Sequence, residues 1–197
     1  MKKNLFTLVF VSVISLFQAQ EDKKTLTYGA KAGLTLSTWT GSSVDGIGSR
    51  TGIYAGGFVN YKFSQRFALQ PELLYSMQGA GETPIVNNVR VDYTVDYITL
   101  PVMLKFYAAP RLNLEFGPQL ALKVNDKVKA KNTVTGVSAT SDIDVRNVDF
   151  GLNAGLGYEF SMGLGIEARY NFGLSEVLEG SNARTSVFSF GLSYRFK

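Results

Sequence analysis

Hydrophobic and polar residues alternate with a period of two along most of this chain. In the segment 26–36, Leu26, Tyr28, Ala30, Ala32, Leu34 and Leu36 alternate with Thr27, Gly29, Lys31, Gly33 and Thr35. The same pattern runs through 67–77, 112–122, 148–160, 164–172 and 188–196. Alternation of this kind puts successive side chains on opposite faces of an extended strand, and a 3.6-residue stripe fits none of these segments. Two segments are less regular. In 53–63, Tyr54 and Phe58 share a parity with Asn60 and Lys62. In 91–106 the apolar parity switches near Asp96, from Val91, Tyr93 and Val95 to Ile98, Leu100, Val102 and Leu104. A bulge, or a strand that outgrows a membrane, produces such a switch. Together the segments predict an all-β fold: an up-and-down antiparallel transmembrane β-barrel of about eight strands, the smallest common size.

The connections alternate in length. Phe63 and Phe67 are joined by Ser64-Gln65-Arg66, Phe160 and Leu164 by Ser161-Met162-Gly163, and the step from Phe106 to Leu112 is also short. Gly163 falls where a three-residue hairpin needs a left-handed residue. The connections Trp39–Arg50, Ala80–Val89, Val124–Val145 and Glu176–Arg184 are longer and polar. Short turns on one side and long loops on the other is the outer-membrane pattern. It places the termini and short turns in the periplasm and the four long loops outside.

A soluble lipocalin-like barrel would alternate as well, with its apolar face inward. Three features favour the opposite arrangement. The apolar faces carry mainly Leu, Phe, Tyr, Ile and Val, too much volume for the interior of an eight-stranded barrel. The polar faces hold Gly29, Gly33, Gly117, Gly151, Gly155, Gly157, Gly165, Gly173 and Gly191. A crowded lumen needs such small residues beside long charged ones, whereas a solvated exterior gains nothing from them. Aromatic residues also gather near strand ends, at Tyr28, Phe63, Phe67, Phe106, Tyr107, Phe160, Tyr194 and Phe196, as in an interfacial girdle. Trp39 reads as a further interfacial anchor at the end of the first strand.

The N-terminus predicts export. Lys2 and Lys3 precede a mostly apolar run from Leu5 to Phe17, and Gln18-Ala19-Gln20 leads into the charged Glu21-Asp22-Lys23-Lys24. Residues 1–20 read as a signal peptide and 21–197 as the barrel domain. The apolar run is shorter than the ~20 residues a spanning helix needs. Losing residues 1–20 removes Lys2 and Lys3 and no acid, so the net charge falls from +4 to +2. So small an excess gives no support to nucleic-acid binding. The chain contains no cysteine and no histidine. That excludes disulfides, thiolate chemistry and imidazole bases, and with them the commonest routes to an active site or a metal centre.

Several segments resemble the PorT-like outer-membrane β-barrel family: FALQPELLYSMQGA (67–80), DYITLPVMLKF (96–106), LEFGPQLALK (114–123) and FSFGLSYRFK (188–197). The proline placement in LQPELLYS and ITLPVMLKF is the more particular part of the match, which extends over nearly the whole exported chain. The resemblance implies an integral outer-membrane protein, and its name-giving member is associated with type IX secretion and gliding-related export. It offers no catalytic motif to carry over.

The candidate chemistry lies in the predicted lumen, at Lys31, Lys62, Glu72, Lys105, Glu115, Lys123, Glu159, Glu167, Arg169 and Arg195. Buried charges must be paired, so these residues are expected to interlock as a structural ion-pair network, with Glu167 and Arg169 facing Arg195 on the next strand. The alternative is a narrow pore or small-solute channel. A calcium cage from Asp142, Asp144, Asn147 and Asp149 fits no standard spacing, and Val124–Val145 reads as a solvated loop. The glycine pairs Gly155/Gly157 and Gly163/Gly165 open no helix, so they space a lumen rather than cradle a phosphate. The expectation is therefore a monomeric, non-enzymatic barrel without a cofactor. Its partners would be outer-membrane lipid and other secretion or envelope proteins.

Overall fold

The computed structural model describes residues 25–41, 48–81, 89–132, 134–135, 138–141, 145–177, 180 and 182–196. The predicted signal peptide lies outside them. The strands are β1 (Thr25–Thr40), β2 (Arg50–Lys62), β3 (Phe67–Ala80), β4 (Val89–Tyr107), β5 (Leu112–Asn132), β6 (Ser138–Ser141), β7 (Val148–Glu159), β8 (Leu164–Glu176) and β9 (Arg184–Arg195). They form one antiparallel sheet in the order β4-β3-β2-β1-β9-β8-β7-β5-β6, and β4 also pairs with β5. That last pairing closes an eight-stranded barrel, with β6 attached outside it along β5. Closure is what hydrocarbon demands, because an open edge there would leave backbone groups with no partner.

The faces divide as the alternation predicts. Leu34, Leu73, Leu114, Phe116, Phe150, Leu156, Phe190 and Leu192 are exposed on the outside, while Lys31, Gln70, Glu72, Glu115, Asn153, Glu167 and Arg169 are buried within. A water-soluble barrel has the reverse arrangement. Close approach explains two of the inward glycines: a methyl group built on Gly33 or on its cross-strand partner Gly191 would collide with the Tyr54 side chain, which lies against both. At one end of the barrel lie the three short turns and the starts of β1, β3, β5 and β8; Gly163 there has φ +91° and closes its hairpin. Phe63, Phe67 and Phe106 pack together outside this turn end, as do Tyr28, Tyr194 and Phe196.

Three of the sequence expectations need correction, two of them at the opposite, loop end. Val124–Val145 is not a plain solvated loop. β5 continues to Asn132, pairs with β4 from Val89 to Asp96, and is joined by β6, so that a ribbon rises above the barrel wall. The register shift between Asp96 and Tyr97 is the predicted bulge, and the strand also outgrows the barrel. Trp39 is not an interfacial anchor. It has the parity of Lys31 and Thr35, so its ring points inward, where it packs with Tyr93, Val95, Tyr97, Ala121, Val145 and Val177. Tyr107 likewise lies in the lumen and takes no part in the girdle.

Prolines leave a diagonal seam in the wall. The β2–β3 ladder lacks the pairs Val59/Pro71 and Asn60/Gln70, the β3–β4 ladder lacks Glu72/Pro101 and Leu73/Leu100, and the β4–β5 ladder lacks Val102/Pro118 and Met103/Gly117. Each proline has no N–H to offer the preceding strand, and the three breaks follow one another across adjacent strands. An unmet carbonyl in hydrocarbon costs several kcal/mol, against ~0.4–1 kcal/mol gained from a stiffer unfolded chain. Pro118→Val is therefore expected to raise the urea midpoint of unfolding in lipid vesicles, followed by gel mobility. An unchanged or lowered midpoint would show that the seam carries no cost.

Candidate functional site

The inward parities of β1, β3, β4, β5, β7, β8 and β9 bring eight charges together in the lumen, four carboxylates and four cations. Arg169 is central. Its Nη1 donates to Glu72 Oε2 at 2.9 Å and its Nη2 to Glu72 Oε1 at 3.0 Å, while Nε and Nη2 donate to Glu115 Oε1 at 3.2 and 3.1 Å. Lys31 bridges Glu72 at 3.0 Å and Glu167 at 2.6 Å. Lys105 stands 3.8 Å from Glu115 and 3.5 Å from Glu159, and Arg195 reaches Glu159 at 2.8 Å. The geometry suits the chemistry, because a guanidinium fork can satisfy two carboxylates where an ammonium acts as a point charge.

Not every candidate joins this cluster, and the pairing differs from the expected one. Arg195 meets Glu159, not Glu167 or Arg169. The β8–β9 register sets Glu167 opposite Gly191 and Arg169 opposite Ser189, which leaves Arg195 four residues further toward the turn end. Lys62 lies over the Tyr107 ring, 4.3 Å from its centroid. Lys123 belongs to the loop end, where it bonds Asp126 at 2.7 Å and the Val145 carbonyl at 2.7 Å. Asp142 and Asp144 of the drawn calcium cage lie outside the described residues, among which no metal-holding acidic cluster occurs.

Neutral polar residues complete the cluster, and charge alone did not single them out. Tyr54 donates to Glu167 at 2.9 Å and Tyr107 to Glu159 at 3.0 Å. Gln70 donates to Glu72 at 2.8 Å and accepts from Asn60 at 3.0 Å. Parity was the available signal, since Gln70 alternates in phase with Glu72, and Tyr54 with Asn60.

Exposure along the network shows where the lumen opens. The side chains of Glu72, Lys31 and Glu115 are 0% accessible, Lys105 8%, Glu159 21% and Arg195 36%. The lumen is therefore dry at mid-height and accessible from the turn end. Toward the loop end a polar recess lined by Gln78, Gln119 and Asn171 separates the network from the apolar cap around Trp39.

An apolar exterior, a closed eight-stranded wall and a charge-paired interior define an integral β-barrel of the outer-membrane type. Residues 18–179 match the outer membrane protein beta-barrel domain, and the chain belongs to that family. No curated protein matches it. Among solved structures it is similar to Neisserial surface protein A, with a TM-score of 0.57 and 16% identity over 87% of this chain and 99% of that one. It is also similar to Ail, the attachment invasion locus protein of Yersinia pestis, with a TM-score of 0.52 and 15% identity over 86% and 98% of the two chains. At such identities the likeness is one of fold.

Removing one partner of the central pair strands its neighbours. Glu72→Ala leaves Arg169 and Lys31 without their shared carboxylate, at an expected cost of ~3–5 kcal/mol in unfolding free energy. The double variant Glu72→Met/Arg169→Met is expected to lose less than the sum of the two single substitutions. Additive losses in vesicle unfolding titrations would show that the two groups are not coupled.

Proposed function

We propose that this chain is a monomeric, non-enzymatic barrel of the outer membrane with a structural or interaction role, supporting protein secretion or surface assembly as PorT-like proteins do. On this reading the segment 1–20 exports the chain, the turn end faces the periplasm, and the loop end faces outward. One observation carries the proposal: the lumen is filled by paired charges at mid-height and capped by the Trp39 cluster. What remains for a partner is the outer surface, above all the ribbon built from β4, β5 and β6. A narrow pore has weaker support, since the recesses on either side of Arg169 are separated by that dry network. An enzyme has weaker support still, because the most deeply buried lumen carboxylates, Glu72 and Glu115, are already held by cations.

Cross-linking in native envelopes followed by affinity purification tests the interaction role. Wild-type protein should bring down secretion or envelope components. A variant in which residues 133–141 are replaced by a Gly-Ser linker should lose them while still shifting on a boiled-against-unboiled gel. Equal recovery from both proteins, or no specific recovery from wild type, contradicts the proposal.

A further inference from the structure

The turn end of the lumen holds a small recess whose polar lining includes Asn60, Gln70, Lys105, Glu159, Ser193 and Arg195. Glu159 is the single carboxylate in that lining. It is already engaged three times, by Arg195 at 2.8 Å, by the Tyr107 hydroxyl at 3.0 Å and more loosely by Lys105 at 3.5 Å. The donors are less fully used. Lys105 is nine-tenths buried, yet its two carboxylate contacts are the long ones, at 3.5 and 3.8 Å. Arg195 commits Nη1 to Glu159, and among the described residues neither its other N–H groups nor the Ser193 hydroxyl makes a hydrogen bond. An ammonium, part of a guanidinium fork and a hydroxyl thus converge on one open space with donor capacity to spare.

The surroundings add positive potential. Lys62 sits just inside the same end, over Tyr107, and the adjoining turns carry the exposed Arg66 and Arg111. Cations around a mouth with low-dielectric walls concentrate anions within it. A phosphate group has three acceptor oxygens, and charge-assisted bonds from Arg and Lys are among the stronger polar contacts. We propose that this recess is a receptor for a phosphate-type oxyanion, entering from the turn end and held by Lys105, Arg195 and Ser193. The same chemistry is offered by free phosphate and by a phospholipid headgroup. The site goes beyond the structural and interaction role and does not depend on it.

The test is calorimetric titration of the full folded chain in an uncharged maltoside detergent, at constant ionic strength with chloride as background. One arm adds inorganic phosphate and the other a short-chain phosphatidic acid. Saturable one-to-one binding is expected in at least one arm, and which arm saturates identifies the source. Arg195→Gln, at a half-exposed strand end, should weaken binding at least tenfold, and Lys105→Gln should do the same if it still folds. Arg184→Gln, exposed at the loop end, should leave binding unchanged. No saturation in either arm, or equal affinity in wild type and Arg195→Gln, overturns the proposal.

Discussion

Hydrocarbon offers no hydrogen-bond partner, so every backbone group of a sheet immersed in it must find one within the sheet. From that constraint the rest of this structure follows. The sheet must close, here through β4 and β5, and a barrel of eight strands has an interior only wide enough for side chains. Large apolar residues must then point outward, and what remains inside is polar, tightly spaced and short of water. The collision that a methyl group on Gly33 or Gly191 would have with Tyr54 shows how little room is left. The proline seam through β3, β4 and β5 is a place where the wall departs from the rule that shaped it.

An interior of that kind cannot hold isolated charges. Desolvating an ion costs several kcal/mol after relaxation, and only close, geometrically good pairing offsets it. Arg169 meets the requirement by serving Glu72 and Glu115 together, and Lys31 by joining Glu72 to Glu167. Such a network adds little net stability over an apolar core of equal volume. It does penalise any slip in register, because a one-residue shift would turn each of these charges toward lipid. The network is also asymmetric. It is closed off from the loop end by aromatic packing and grows steadily wetter toward the turns, so the two ends of the barrel present different chemistry.

Much of this was legible in the sequence. A period of two survives in almost every strand because each strand has one face in hydrocarbon, and the parity switch at Asp96 marked the bulge correctly. Parity also identified the charges that share the lumen. It could not identify their partners, since Arg195 pairs with Glu159 through strand register and tilt, which no single segment encodes. By residue type Trp39 and Tyr107 read as interfacial, although their parity places them inside. The ribbon was hidden for a related reason. Beyond the membrane neither face of β5 must be apolar, so Asn125–Asn132 reads as a polar loop while it continues as a strand.

The central claim is that the exterior of this wall touches lipid and its interior does not. A nitroxide scan along β5 tests it directly, because the chain has no native cysteine to compete with single introduced ones. With labels placed in turn from Leu112 to Leu122 in lipid vesicles, collision with dissolved oxygen should oscillate with a period of two. The maxima should fall at Leu114, Phe116 and Leu120, and the minima at Asn113 and Glu115. Maxima at the odd positions, or a water-soluble quencher that reaches Leu114 and Phe116 freely, would contradict the account.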